Sequence, residues 1–299
     1  MNVGIIGLGD IACKAYLPVI TTRDVQLHLC SRDATKLAQT GKQYRITNLH
    51  RDLDSLLTAG IEAAFVHTAT SSHEEIVHRL LENNVHVYVD KPVTDSYTTT
   101  ASLISLARKK KLLLKAGFNR RHAPAYAQLK NVANANMIVM QKNRKSLPGA
   151  IRTFVFDDFI HVVDTLLFLL NSPPEKMDVK GRVSDGLLYH LVVTFTGANG
   201  TTAIGIMNRD SGTTEERLEI FSSTEKRVVT NLSETIICKD RMETKVLTDD
   251  WQPMLRTRGF ENIVDDFLAA ARSGESTSDD LLLTHQLCEN IVSHLEPRT

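Results

Sequence analysis

Three small residues near the start of the chain have the spacing of a dinucleotide cradle. Gly7, Gly9 and Ala12 fall at G-x-G-x-x-A directly after the apolar stretch Val3-Gly4-Ile5-Ile6. In that pattern the first glycine permits a tight turn off a strand. The second carries no Cβ, so a pyrophosphate can approach the backbone, and the third small residue lets the next helix pack close to the sheet. The helix N-terminus then faces the phosphates with unpaired N–H groups. Alone, the pattern often marks only a glycine-containing turn. Here it follows a strand and precedes a helix expected from Lys14 to Thr21, which makes Gly7, Gly9, Asp10, Ile11 and Ala12 candidate cofactor contacts. About twenty residues on, the second strand ends Cys30-Ser31-Arg32. Chains that select NAD usually place an acid there to bind the ribose 2′-hydroxyl. A carboxylate would repel a 2′-phosphate, whereas Ser31 and Arg32 can donate to one. The expected cofactor is therefore NADP(H) in preference to NAD(H). The competing reading makes Arg32 a solvated loop residue and gives the ribose to Asp33.

Positioning such a cradle requires a parallel sheet, and the first 118 residues alternate strand and helix. Strands are expected at Val25–Cys30, Ala63–Thr68, Val85–Val89 and Leu112–Gly117. Helices are expected at Ala34–Tyr44, Asp54–Ala59, Ser72–Asn83 and Asp95–Lys110. That order implies a Rossmann-type, doubly wound α/β domain over residues 1–118, with ligands off the carboxyl ends of its strands. From 119 to 299 the pattern changes to an α+β domain. It has a strand at Asn136–Lys142, a buried helix from about Asp158 to Leu170, and short alternating runs at 187–195, 201–208, 216–222, 227–231, 235–239 and 243–247. Turn residues such as Asn199-Gly200 separate them, as in an open, mainly antiparallel sheet. Leu187, Tyr189, Leu191, Val193 and Phe195 alternate, so they are expected on one face, with His190, Val192 and Thr194 on the other. Two helices close the chain, and Trp251, the only tryptophan, reads as a packing anchor.

Composition excludes several classes. Lys plus Arg equals Asp plus Glu at 35 each, so there is no global field for nucleic acid or an anionic membrane. The one dense basic run, Arg108–Lys111, ends a helical pattern and suits the negative end of a helix dipole. Four cysteines without a C-x-x-C pair imply neither a metal site nor a disulfide framework. The longest apolar run, Val162–Leu170, is broken by Asp164 and is shorter than the ~20 residues a membrane span needs. No signal segment is read before the first strand, so a cytoplasmic protein is expected.

Two further strand ends, Thr68-Ala69-Thr70-Ser71-Ser72-His73 and Val87-Tyr88-Val89-Asp90-Lys91-Pro92, together with Gly117-Phe118-Asn119-Arg120-Arg121, make the chain resemble the glucose–fructose oxidoreductase / inositol dehydrogenase family, Gfo/Idh/MocA. The resemblance extends over essentially the whole length. Family members usually carry Glu-Lys-Pro where this chain has Asp90-Lys91-Pro92, and Thr-Pro-Asn-x-x-His where it has Thr68 to His73. The resemblance implies cofactor contacts from Thr68, Ala69, Thr70, His73, Asp90, Lys91 and Pro92. It implies catalysis by Lys91 and by the segment Asp-x-Gly-x-His-x-x-Asp, which reads here Asp157-Asp158-Phe159-Ile160-His161-Val162-Val163-Asp164. If Asp157 already lies on the helix, it shares a face with His161. His161 is the natural acid–base, its ordinary pKa lying near 6.5. A bland reading makes Asp157 or Asp158 an N-cap and His161 a packed interior residue. Phe159 stands in place of the family's glycine, and its ring is expected to fill part of the pocket. Arg120 and Arg121 either meet substrate or tie down the interdomain crossing, His67 is expected to be structural, and His73 to cap its helix or touch cofactor.

The implied activity is hydride transfer between nicotinamide and a carbinol or carbonyl carbon of a sugar, polyol or related small molecule. The substrate is expected between the nicotinamide and the buried helix. A homodimer through the second domain's sheet is also expected. A silent dinucleotide-sensing protein of the same fold is the alternative, favoured by Phe159 and by the missing glycine-rich approach to the motif. A third reading, an enzyme acting on an unsaturated or amino substrate, shares the cofactor site.

Overall fold

The computed structural model describes residues 1–247 and 249–296. The chain divides into two compact units, Met1–Gly117 with Phe260–Leu282, and Phe118–Gly259 with the chain from Leu283 on. In the first unit β1 (Asn2–Ile6), β2 (Gln26–Cys30), β3 (Asn48–His50), β4 (Ala63–Val66), β5 (His86–Val89) and β6 (Leu114–Ala116) form a parallel sheet ordered β3-β2-β1-β4-β5-β6. Every residue of β4 is fully buried. This explains its uninterrupted apolar sequence, because a strand covered on both faces has no side to leave polar. Strand order reverses between β1 and β4, which makes their carboxyl ends the crevice where such folds bind ligands.

Helices off these strands carry their own start signals. Asp33 accepts from Lys36 N at 3.0 Å, Asp52 from Ser55 N at 2.8 Å and Ser96 from Thr99 N at 3.3 Å, each satisfying an otherwise orphaned helix donor. Two features differ from the sequence reading. β3 is not marked by pattern, because it is a three-residue edge strand whose Leu49 is 39% exposed. The helix Phe260–Ser273, which the sequence places with the second domain, packs in the first. Phe267 meets the rings of Phe65 and Tyr88 at 4.9 and 5.5 Å between centroids, and Arg23 Nε donates to Asp265 at 2.6 Å. Its apolar face follows burial rather than chain order.

The second unit is built on a nine-stranded, mostly antiparallel sheet. Its strands are β7 (Met137–Lys145), β8 (Gly149–Ala150), β9 (Lys176–Ser184), β10 (Leu187–Thr196), β11 (Thr202–Ser211), β12 (Glu215–Phe221), β13 (Lys226–Thr230), β14 (Glu234–Lys239) and β15 (Met242–Val246). They run in the order β15-β14-β13-β12-β7-β11-β10-β8, with β9 also paired to β10 and only β7–β11 parallel. β9 escapes the pattern reading because it is an edge strand with one buried residue, Val179. A bulge between Leu188 and His190 corrects the expected alternation on β10. Leu191, Val193 and Phe195 are buried as expected, but the extra residue reverses the side-chain parity before them. Leu188 is fully buried, Tyr189 is half-buried and Leu187 is 37% exposed.

Residues 151–170 form one helix, starting at Ile151 rather than near Asp158, with a π-helical turn at Val155–Phe159. It packs tightly on the sheet at Gly205, where an added Cβ would stand 2.8 Å from Val162 Cγ1 and 3.2 Å from Phe159 Cζ. Trp251 is not a packing anchor. It is 91% exposed, in a turn where its N–H donates to Asp249 at 2.9 Å.

Candidate active site

At the carboxyl ends of β1, β2, β4 and β5 the first unit gathers most of the residues that the sequence nominates for the cofactor. Gly7 has φ +87°, and a Cβ there would stand 2.8 Å from His67 O and 2.9 Å from Thr68 Cγ2, so only glycine fits the turn. Above Gly9 the nearest atom to such a Cβ is His67 O at 3.8 Å, which leaves its surface open to a close ligand. Helix begins at Asp10 and runs to Ile20, earlier than Lys14, so Asp10, Ile11 and Ala12 form its first turn. Ala12 is buried, Ile11 is 41% exposed, and Asp10 pairs with Lys14 at 2.6 Å. The Thr68 hydroxyl is buried beside Gly7 with no hydrogen-bond partner among the described residues. A glycine turn without room for a side chain, an open glycine, a helix N-terminus and an orphaned hydroxyl fit a dinucleotide pyrophosphate.

Ser31 is half-buried and Arg32 exposed at the end of β2. Asp33 spends a carboxylate oxygen on capping its helix, which weighs against giving it the ribose. Sequence reasoning missed Arg51. It is exposed beside the same loop, its Nη2 donating to Arg32 O at 3.2 Å, and only the pairing of β2 with β3 brings it there.

His73 neither caps its helix nor lies open to a ligand. It is 1% exposed and acts as a strut, Nδ1 lying 3.0 Å from Pro92 O and Nε2 3.0 Å from Thr68 O, so it ties the two strand-end loops together. Ala69 is exposed and Thr70 half-buried in the turn between them. Asp90 is engaged by His67, Nδ1 to Oδ2 at 3.0 Å, above a buried pair of phenols, Tyr16 and Tyr88, 2.6 Å apart between oxygens. Burial, with Asp90 nearby, pushes both phenols well up from their ordinary pKa. Lys91 follows directly, half-buried, before a cis peptide to Pro92.

In the second unit, Asp157 does lie on the helix, in its π-helical turn, with His161 one turn further on. Asp157 is exposed and His161 only 8% exposed. Such π turns widen a helix locally and recur at functional sites. Asp158 is not an N-cap. It is buried, takes a hydrogen bond from Lys142 Nζ, and accepts from Arg144 Nε and Nη2 at 2.9 and 3.0 Å. Burial opposes its charge, but the two cations outweigh burial and hold its carboxyl well below the usual range. Phe159 is fully buried with its ring tip at Gly205, against the sheet; it does not fill a pocket as expected. Removing one side chain from the strand makes room for the ring that the helix carries in place of glycine.

Arg120 and Arg121 are both structural partners. Arg120 makes a bidentate pair with Glu216, Nε to Oε1 at 2.9 Å and Nη2 to Oε2 at 2.7 Å, and Tyr126 Oη donates to the same carboxylate at 3.0 Å. Arg121 holds Asp164 with Nε 2.8 and 2.9 Å from its oxygens. Lys142, Arg209 and Glu216 are the residues that sequence reasoning overlooked. The signal was period-2 parity. Ile138 and Met140 put Lys142 on the helix-facing side of β7, Ala203 to Met207 do the same for Arg209 on β11, and Leu218 and Ile220 for Glu216 on β12. Register sets Glu216 directly opposite Lys142. Burial, reinforced by Arg120, pulls the Lys142 ammonium down to about 7.

Residues 1–118 match the model of the oxidoreductase family with an NAD-binding Rossmann fold, and residues 124–240 that of the YceM-like C-terminal domain. A crystal structure of a Gfo/Idh/MocA family oxidoreductase from Vibrio cholerae superposes with TM-score 0.93 at 33% identity, covering 99% of this chain and 98% of that one. The chain belongs to the Gfo/Idh/MocA family. A Salmonella typhimurium protein named as a candidate oxidoreductase, YceM, is 29% identical over 97% of this chain and 96% of its own. The myo-inositol 2-dehydrogenase of Thermotoga maritima is 23% identical over 84% and 79%. Gfo/Idh/MocA membership makes the chain an oxidoreductase with an NAD(P)-binding Rossmann domain. Among the described residues no helix is long and apolar enough to cross a membrane, and no cluster of three or more His, Cys, Asp or Glu side chains is placed to hold a metal.

Proposed function

We propose that the protein is an NADP(H)-preferring oxidoreductase that interconverts a CH–OH carbon and its carbonyl on a sugar, polyol or related small molecule. The observation that supports it best is the dinucleotide-fitted cradle of the first unit; the second unit's helix separately carries Asp157 and His161 one turn apart across a π turn. Relatives named as inositol dehydrogenases support the substrate class.

The glycine turn, Thr68 and the first helical turn hold the pyrophosphate, while Ser31, Arg32 and Arg51 receive the 2′-phosphate. Bound nicotinamide supplies the hydride acceptor or donor. In the oxidative direction His161 takes the hydroxyl proton, and Asp157 orients the imidazole and favours its protonated form. Lys91 is given the part of supporting developing alkoxide character. In reduction His161 returns the proton. Phe159, one of the features that favour a silent sensor, has its ring against the sheet at Gly205, which speaks against its blocking the site.

The test is a panel of sugars and polyols with their carbonyl forms, followed at the absorbance of reduced cofactor, on wild type and His161→Asn. Turnover should fall about 10²–10⁴-fold in the variant, with cofactor affinity unchanged and the pH inflection of oxidation lost. Full activity with an unchanged pH profile would remove His161 from the mechanism.

A homodimer is part of the same reading. Val139, Val192, Ile204 and Ile206 line the sheet face opposite the helix and are only half-buried within one chain. A two-fold pairing of these faces would cover them. Light scattering at micromolar concentration should give twice the chain mass; a monomer contradicts it.

A further inference from the structure

One buried cation of the second unit has hydrogen-bond donors without a partner among the described residues. Arg120, Lys142, Arg144 and Arg209 converge between the sheet and the helix, and the carboxylates among them are Asp158 and Glu216. Glu216 is committed to Arg120 and Tyr126, and Asp158 to Lys142 and Arg144. Arg209 remains. It is 9% exposed, and its Nε and Nη1 have no hydrogen-bond partner among the described residues. Its guanidinium carbon lies 5.0 Å from the centroid of the Phe154 ring. A Cβ added to Gly149 would stand 3.4 Å from Nη1, so that glycine keeps the backbone close to the guanidinium.

A buried guanidinium without a counter-ion is unusual, because a charge taken out of water needs a partner to offset the lost hydration. An aromatic ring contributes a cation–π attraction but occupies a face of the group, not the in-plane N–H positions that recognise oxyanions. The cluster also has an open margin. Arg144 is 34% exposed at its side chain, Asp157 is exposed, and both act electrostatically on Arg209. The guanidinium therefore lies within electrostatic reach of Asp157, the acid to which the preceding reading gives a catalytic part.

We propose that Arg209 and Arg144 form an oxyanion subsite beside Asp157, and that the substrate is an acidic sugar or polyol whose carboxylate or phosphate they bind. The carbinol chemistry rests on the function proposed above; the anion site rests on the buried Arg209 guanidinium with its unpartnered Nε and Nη1. A bound oxyanion would accept from the unpartnered Nε and Nη1 groups. A neutral polyol leaves Arg209 unpaired and gains no charge-assisted hydrogen bond.

The full-length chain, with and without NADP⁺, is titrated calorimetrically with D-glucuronate, D-glucose 6-phosphate, D-glucose and inorganic phosphate. At least one of the two acidic sugars should bind about tenfold or more tightly than glucose, and which one does so tells carboxylate from phosphate. Arg209→Met, close in volume but uncharged, should abolish that preference while NADP⁺ affinity stays unchanged. If that variant fails to fold, Arg144→Met at the exposed margin should reduce the same preference. Retention of the preference in the soluble variant overturns the proposal. So does equal binding of inorganic phosphate alone, which marks an adventitious ion only, or the absence of any preference for either acid. The two readings separate cleanly. Acid binding through Arg209 without turnover sinks the dehydrogenase reading and keeps the subsite. Oxidation of the acidic sugar with unchanged KM in Arg209→Met does the reverse.

Discussion

In the proposed function, selection for NADP(H) turns on Arg32 and Arg51, two exposed residues that strand pairing brings to one rim. Arg32 follows β2, Arg51 follows β3, and Arg51 Nη2 donates to Arg32 O at 3.2 Å, so the two residues stand at the rim of the same strand ends. A hydrogen bond to a charged group contributes about 1.5–3 kcal/mol net, which is roughly a tenfold to hundredfold change in affinity. Both side chains are solvent-exposed, and that places each at the lower end of the range through screening. Arg32→Ala should weaken NADP⁺ about tenfold at physiological salt. The double change with Arg51→Ala should weaken it by somewhat less than about a hundredfold, because two groups sharing one phosphate couple rather than add. NAD⁺ affinity should move by less than about twofold, and the NADP⁺/NAD⁺ ratio should fall as salt rises. Calorimetric titration of both cofactors at two ionic strengths reads all of this. Asp33→Ala is the control. Losing the cap costs about 1 kcal/mol of stability without shifting cofactor preference. Equal losses of NAD⁺ and NADP⁺ in Arg32→Ala, or a switch of preference in Asp33→Ala, would refute the assignment.

Gly7→Ala should abolish binding of either dinucleotide, because φ is +87° and the new methyl meets His67 O at 2.8 Å; absence of saturation in the same titration checks it. Phe159→Gly restores the residue usual in the family, yet should cost about 3–5 kcal/mol, since the fully buried ring fills the space above Gly205. Urea unfolding measures that loss, and a neutral or stabilising result would place the ring elsewhere. Asp158 and Glu216 both titrate below their ordinary values in the folded chain. Below about pH 5 the unfolded chain therefore binds more protons than the folded one, and their contribution, complete at neutral pH, is lost as pH falls. Asp158→Asn should be less stable than wild type at pH 7 and should lose stability less steeply on acidification, by urea midpoints at pH 7 and about pH 4.

The sequence alone determined what depends on neighbours along the chain. The glycine turn after β1, the apolar strands of the parallel sheet and the Asp157–His161 spacing are local patterns, and local backbone physics reads them directly. Parity along a strand is legible too. Followed past the apolar positions of β7, β11 and β12, it carries Lys142, Arg209 and Glu216 to the helix-facing side. Tertiary structure alone decided which strand lies beside which. It set Arg51 against Arg32 through β2–β3 pairing, and Glu216 opposite Lys142 through the register of β12 with β7. It returned Phe260–Ser273 to the first unit, and turned Phe159 onto a glycine distant in sequence. A residue's periodicity fixes the face it presents; its partner is chosen by burial and charge across contacts remote in the chain, and a linear pattern holds no record of those until the fold closes.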